Sequence, residues 1–273
     1  MTRMGMLAGA IAVLLTGGLA ANAAPASSYA SDQVNLRIVA DAPGPGGTVR
    51  GAVLVDIAPG WHTYWLDPGA SGIPPRIDFS GTQGLDATDL AFPAPLRFGE
   101  GLARANGYDR PLAIPFELSP QPGVSLDTVA ASLAIGVCHE ICIPVQAELA
   151  TRAGAADVAQ IVDAAFAALP AADGHLGRIR SATLPDGGDM LTVVVETALD
   201  APSTDLFVLG PQGWYFDEPA PPVRNGDSLE FSVPVAGRPR GETGGPDAVE
   251  MVVTGAAGSF AAEAVPVASG QPG

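Results

Sequence analysis

Hydrophobic residues at every second position are the feature of this chain that most restricts its fold. Apolar residues occupy alternate positions from Val129 to Val137, and the residues between them are small or polar. The same alternation marks residues 52–57, 145–149 and 228–233. A period of two is typical of strands that bury one face. Proline and glycine separate the N-terminal runs and no helical pattern lies between them, so we exclude parallel βαβ units and expect an antiparallel sandwich.

The chain is predicted to contain two β-rich domains, because 273 residues suit one large or two ordinary domains. We expect the first β-sandwich at residues 30–152, a helical connector at 153–172 and a second β-sandwich at 173–268. The connector is predicted from an alanine-rich stretch, 155–169, whose larger apolar residues share one helical face before Pro170 ends it. The alternative is an ordinary core helix of one domain.

The N-terminus has the pattern of a secretory signal peptide. Arg3 precedes a short apolar stretch at residues 6–15, and the small-x-small sequence at 21–23 predicts cleavage before Ala24. We therefore assign residues 1–23 to the signal peptide. No later stretch contains 18 consecutive apolar residues, so we expect no membrane insertion after cleavage. Export places the protein in an oxidising compartment, where a disulfide can persist.

The charge of the chain argues against nucleic acid as a partner. The formal net charge is −16, from 29 acidic and 13 basic residues, and every basic residue is arginine. A chain without a basic cluster cannot neutralise many phosphates, and anionic membrane surfaces are disfavoured for the same reason.

The two cysteines, Cys138 and Cys142, carry most of the chemical information. The strand that ends near Val137 and the strand that starts near Ile143 predict a hairpin with residues 139–141 at its tip. Opposed residues in such a hairpin have Cα atoms ~4.5–5.5 Å apart, and a disulfide needs ~4.4–6.8 Å. The alternation also places Cys138 on the small and polar face of its strand, away from the core. The spacing is therefore compatible with an accessible disulfide.

Three interpretations of this pair remain open from the residues alone. A structural disulfide would contribute about 2 kcal/mol through so short a loop, against ~4.7 kcal/mol for a 100-residue loop. A redox-active pair needs an accessible sulfur and a second thiol to resolve the mixed disulfide, and the hairpin provides both. There, His139 would favour a thiolate when protonated, whereas Glu140 and the acidic chain would oppose it, so both residues are candidate modulators. A Cu(I) site would combine both cysteines with a histidine.

Other side chains are assigned mainly structural roles. We interpret Trp61, Tyr64 and Trp65 as core and rim packing of the sandwich, with a wall around the cysteine pair as the alternative. His62 and His175 are interpreted as structural histidines. Asp67, Asp109 and Glu140 lack an evident acid–base partner in the sequence, so no hydrolytic site is expected.

Several spaced motifs together resemble a known family, the N-terminal periplasmic region of the DsbD/ScsB thiol:disulfide interchange proteins, especially its ScsB-like branch. The matching segments are residues 60–65 (GWHTYW), 68–75 (PGASGIPP), 92–98 (FPAPLRF), 107–108 (GY) and 138–144 (CHEICIP). The resemblance covers about residues 33–151 well and extends weakly into the second β-domain.

The resemblance implies an all-β fold of two immunoglobulin-like antiparallel sandwiches joined by the short helix. It also implies that Cys138 and Cys142 are the redox pair and that Cys142 forms the mixed disulfides. The implied location is the periplasm, and the implied partners are periplasmic thioredoxin-like proteins. Because this chain carries neither the membrane domain nor the thioredoxin-like domain of full-length members, we expect a separate membrane-embedded thiol electron donor. No cofactor and no metal are expected. The alternatives are a non-catalytic envelope binding module with a structural disulfide, and a Cu(I)-binding periplasmic protein.

Overall fold

The computed structural model describes residues 26–270 except residues 71, 100, 102–103 and 173. The predicted signal peptide, 1–23, lies outside the described residues. Strands dominate the described residues, which include a single short α-helix, and the sheets have a sandwich-like arrangement. The all-β fold class is therefore confirmed. Among the described helices, none is long and apolar enough to cross a membrane.

The N-terminal strands form two antiparallel sheets. In chain order the strands are β1 (Ser28–Ala30), β2 (Val34–Ala40), β3 (Val49–Ile57), β4 (His62–Tyr64), β5 (Arg76–Asp78), β6 (Leu85–Leu90), β7 (Leu96–Phe98), β8 (Ala105–Tyr108), β9 (Leu112–Pro120), β10 (Thr128–Cys138) and β11 (Cys142–Arg152). One sheet has the order β1-β2-β3-β9-β6 and the other β11-β10-β4-β8-β7, with β5 also paired to β10. A 3₁₀ turn at Pro45–Gly47 connects β2 to β3.

The main core lies between these two sheets. From β3 it receives Val53 and Val55, and from β10 it receives the alternate residues Val129 to Val137, all of them buried. The period-two pattern thus identified the buried faces of these strands correctly. Ala52, on the other face of β3, is also buried because a helix covers it.

That helix, α1 (Ala159–Ala167), is shorter than the predicted stretch 155–169. Gly154 and Asp157 have φ values of 78° and 63°, in the left-handed region that a right-handed helix cannot include. The helix therefore begins only after them. Its Val162 and Ala165 pack on Val39 and Ala52 of the five-stranded sheet, so the connector is packed against the N-terminal sheets.

The C-terminal sheets, as we call the strands after α1, form a nine-stranded arrangement with its own core. They are β12 (Ala171–Ala172), β13 (Gly177–Thr183), β14 (Met190–Thr197), β15 (Asp205–Leu209), β16 (Tyr215–Phe216), β17 (Val223–Asn225), β18 (Ser228–Gly237), β19 (Ala248–Gly255) and β20 (Gly258–Ala268). The order is β15-β19-β20-β13-β14-β18-β16, with β12 beside β20 and β17 beside β18. A 3₁₀ turn at Ala201–Ser203 precedes β15. The core contains Val193, Leu229 and Phe231.

The two groups of sheets share a packed boundary. Phe207 and Val252 of the C-terminal sheets belong to the same buried cluster as the N-terminal core. The rings of Trp65 and Phe207 meet edge to face, with centroids 5.9 Å apart. Because the two groups of sheets share this buried cluster, the division into separate domains at residues 152 and 173 stays a prediction.

Candidate redox site

The β10–β11 hairpin brings the two cysteines together as predicted. The strands are in register over their whole length, and the last pair is Cys138 opposite Cys142. Their Cα atoms are 4.1 Å apart and their sulfurs are joined in a disulfide. The backbone N–H of His139 donates to the Ile141 carbonyl at 3.2 Å, which closes the tip of the hairpin. The disulfide therefore lies at the end of the two longest strands of its sheet.

The two sulfurs differ in their access to solvent. Cys142 is exposed, whereas Cys138 retains only 2% of its accessible surface. The prediction that Cys138 points away from the main core is correct, because it belongs to a separate small cluster. The disulfide, expected to be accessible, is accessible only at Cys142, since Cys138 is buried. The outer face of β10 is covered here by Tyr64, Ala105 and Phe98, from strands distant in sequence.

The hydroxyl of Tyr64 touches the disulfide directly. It donates a hydrogen bond to Cys138 Sγ at 2.9 Å and lies 3.4 Å from Cys142 Sγ. Burial raises the pKa of Tyr64, so the phenol keeps its proton at neutral pH and remains a donor. A proton donor beside Cys138 favours the thiolate form of that sulfur when the disulfide opens.

The predicted core and rim packing of Trp61, Tyr64 and Trp65 is a complete description of only two of the three residues. Trp65 is buried in the main core and Trp61 packs at its rim, as expected. Tyr64 is buried as well, but in a separate small cluster beside Cys138, so it also fits the alternative of a wall around the cysteine pair. One signal could have pointed to this role, since alternation places Tyr64 and Trp65 on opposite faces of the chain.

Glycines allow the strands around Tyr64 to approach closely. A Cβ atom on Gly107 would lie 2.0 Å from the Thr63 carbonyl oxygen. A Cβ atom on Gly136 would lie 2.7 Å from Ile73 Cβ and 3.2 Å from Tyr64 Cδ2. Thr63 Oγ1 donates to the Gly136 carbonyl at 2.8 Å and ties β4 to β10. The position of Tyr64 over the sulfurs thus depends on glycines in the two neighbouring strands, Gly107 and Gly136.

Two histidines lie next to the cysteine pair. His62 is opposite Cys138 in the β4–β10 pairing, and its ring packs against Phe98 with centroids 4.6 Å apart. Burial, and secondarily repulsion from His139, lowers the pKa of His62. His139 is exposed at the tip, with its ring 5.8 Å from that of Trp61. His62 is therefore held mainly neutral at pH 7.

The predicted modulators His139 and Glu140 are both exposed beside Cys142. Their effect on the thiolate stays a prediction. Ile141, between Glu140 and Cys142, is 68% exposed. The accessible sulfur therefore lies beside a protruding apolar side chain and a charged one.

The arrangement fits thiol–disulfide exchange at one sulfur. An incoming thiolate can reach Cys142, and Cys138 is then the leaving group, already hydrogen-bonded to Tyr64. Exchange becomes faster as the leaving thiol becomes more acidic. Within the part of the chain that the structure describes, no three His, Cys, Asp or Glu side chains are grouped so that they could hold a metal ion.

Comparison with known proteins supports the same chemistry. Residues 32–153 match the family described as "Thiol:disulfide interchange protein DsbD, N-terminal". The N-terminal periplasmic domain of ScsB from Proteus mirabilis has a similar crystal structure, with a TM-score of 0.71 and 26% sequence identity. The alignment covers 89% of this chain and 95% of that one. The similarity thus includes the C-terminal sheets as well as the segment with the cysteines.

Two further comparisons add nothing to this. A conserved domain protein from Bacillus anthracis aligns at 10% identity, covering 83% of this chain and 74% of that one, and its TM-score of 0.25 is too low to carry an argument. None of the curated proteins compared with this sequence matches it significantly.

Proposed function

Since residues 32–153 belong to the family of DsbD N-terminal thiol:disulfide interchange domains, we propose that the protein transfers electrons between thiol proteins through Cys138 and Cys142. The proposed location is the periplasm, as for the similar domain of ScsB. The signal-peptide pattern at residues 1–23 is consistent with that location.

The reaction proceeds through a mixed disulfide. In the reduced protein, the thiolate of Cys142 attacks one sulfur of a partner disulfide, and the partner's other sulfur leaves as a thiolate that takes up a proton. Cys138, as a thiolate, then attacks Cys142 Sγ and releases the partner's second thiol. Two electrons pass to the partner, and the Cys138–Cys142 disulfide remains. A thiol donor restores the dithiol by the same steps in reverse.

The exposed sulfur of Cys142 beside the buried sulfur of Cys138 is the observation that carries this proposal. An intermolecular disulfide needs a sulfur that another protein can reach, whereas resolution needs a second sulfur close by and shielded from competing reactions. The proposed partners are thioredoxin-like proteins of the periplasm and a separate membrane-embedded thiol donor.

The first prediction concerns trapping of the mixed disulfide. A Cys138→Ala variant should accumulate a disulfide-linked complex through Cys142 when incubated with an oxidised periplasmic thioredoxin-like protein, because the resolving thiol is missing. The complex should be visible by non-reducing electrophoresis and should disappear on reduction.

The matched control is Cys142→Ala, in which the remaining thiol is buried and should trap little. Trapping by Cys142→Ala alone would reverse the two roles. If neither variant formed a complex with any thioredoxin-like protein tested, the exchange function would be refuted and a structural disulfide would remain.

A further inference from the structure

Arg97 of β7 contacts the C-terminal sheets. The guanidinium of Arg97 is bidentate to Asp205, with Nε 3.0 Å from Oδ2 and Nη2 3.2 Å from Oδ1. Its Nη2 also donates to the Leu206 carbonyl at 3.1 Å. The side chain is only 11% exposed. An arginine with this geometry is a strong and directional link.

Further contacts hold Arg97 in the boundary between the two groups of sheets. Its guanidinium carbon lies 4.5 Å from the centre of the Phe207 ring. Its Nη1 donates to Asn106 Oδ1 of the adjacent strand β8 at 2.9 Å. A second ion pair, between Arg104 and Glu218, crosses the same boundary. The β7–β8 pair is therefore bound to the C-terminal sheets by several polar contacts.

The next residue, Phe98, packs against the cluster that contains Cys138. Successive side chains of a strand point to opposite faces, so Arg97 contacts the C-terminal sheets while Phe98 packs on the cluster of Tyr64, Ala105 and Cys138. Strand β8 pairs with β4 at Tyr64–Gly107, and β4 pairs with β10 at Cys138. A continuous series of contacts thus connects Asp205 to the buried sulfur.

We propose that the C-terminal sheets act as a positioning element for the redox site, with Arg97 and Asp205 as the positioning residues that hold Phe98 over Cys138. This inference rests on the proposed function in taking the cysteine pair as the reacting site. It assigns the C-terminal sheets a task, which is to keep Cys138 shielded so that exchange occurs at Cys142.

The test is the relative alkylation of the two cysteines in the reduced full-length protein. Treatment with limiting iodoacetamide, followed by peptide mass spectrometry, gives the ratio of modified Cys138 to modified Cys142. In the wild type this ratio should be low. In Arg97→Met, which keeps the chain length and loses the ion pair, the ratio should rise about tenfold, equivalent to ~1.4 kcal/mol in favour of the open position of Phe98.

Asp205→Asn should raise the ratio in the same direction, and it provides the test if Arg97→Met does not fold. In the double variant, the change in the alkylation ratio, expressed as a free energy, should be smaller than the sum of the two single changes, because both substitutions remove the same interaction. The control is Arg178→Met, which removes an exposed ion pair to Glu196 within the C-terminal sheets and should leave the ratio unchanged.

An unchanged ratio in both Arg97→Met and Asp205→Asn, with native near-UV circular dichroism, would overturn the positioning role. This outcome is distinguishable from failure of the exchange function, because alkylation needs no partner protein. Trapping could fail while the ratio shifts, or succeed while the ratio stays constant.

Discussion

At the scale of single residues, the site is asymmetric because Cys138 is buried in a cluster with Tyr64 and Ala105, against which Phe98 packs, whereas Cys142 is exposed. The Tyr64 hydroxyl is 2.9 Å from Cys138 Sγ, and burial raises the pKa of this phenol. Hydrogen bonds to a charged group contribute about 1.5–3 kcal/mol. The phenol should therefore stabilise the Cys138 thiolate that forms when Cys142 is attacked.

Tyr64→Phe should slow reduction of the disulfide by dithiothreitol at pH 7 by about tenfold, since a loss of 1.4 kcal/mol corresponds to that factor. The leaving sulfur loses its proton donor and its thiol becomes less acidic. The measurement is the second-order rate of thiol release, followed by alkylation and mass.

Tyr108→Phe is the matched control, because the hydroxyl of Tyr108 is also buried but donates to the Pro93 carbonyl at 2.8 Å. This variant should lose some stability and keep the wild-type reduction rate. Equal rates for Tyr64→Phe and the wild type would show that the hydroxyl does not assist the leaving sulfur.

At the scale of secondary-structure elements, the site depends on how closely β8 approaches β4. Gly107→Ala would place a methyl group 2.0 Å from the Thr63 carbonyl oxygen, so the strands must separate. We expect a loss of about 3 kcal/mol in the free energy of unfolding, at the upper end for overpacking, measured by urea denaturation.

Gly81→Ala is the control for this substitution. Its Cβ would meet Ala130 Cβ at 3.5 Å, an ordinary contact, so stability should be unchanged or rise by ~0.4–1 kcal/mol. A Gly107→Ala protein as stable as Gly81→Ala would mean that the β4–β8 contact is not tightly packed.

Local patterns in the sequence predicted the elements but not what covers them. Alternation identified β10 and β11 and the opposed cysteines, since register and buried face follow from a period of two. The burial of Cys138 could not be predicted in this way, because Tyr64, Phe98 and Ala105 come from strands more than 30 residues away. The helix was predicted too long because alanine content does not reveal that Asp157 is left-handed.

At the scale of the whole molecule, the N-terminal and C-terminal sheets are joined by an apolar contact around Phe207. This side chain is 2% exposed and lies against Trp65 and the guanidinium of Arg97. Leu206 and Val208 pack in the C-terminal core, whereas Phe207 belongs to the N-terminal core, and the apolar run 206–209 does not reveal which of its residues meets the other group of sheets. The similarity to ScsB over 89% of the chain indicates that both groups of sheets belong to one recurring arrangement.

Phe207→Ala should weaken the coupling between the two groups of sheets. Truncation of a buried phenylalanine costs about 3–5 kcal/mol of stability. Here the contacts that are lost are those between the N-terminal and C-terminal sheets. We expect one calorimetric transition in the wild type and two in Phe207→Ala. Tyr215→Ala, at an aromatic residue that is 59% exposed, should change stability by only ~0.5 kcal/mol and keep one transition. A single transition in Phe207→Ala would argue against independent units.

In the proposed electron transfer, the difference in exposure between the two sulfurs would also set the order of events. Because Cys142 is the sulfur open to other proteins, the electron donor and the electron acceptor must dock at the same place. They exclude each other, so no ternary complex forms and turnover follows ping-pong kinetics. An excess of either protein should therefore inhibit transfer to the other by occupying the shared docking position.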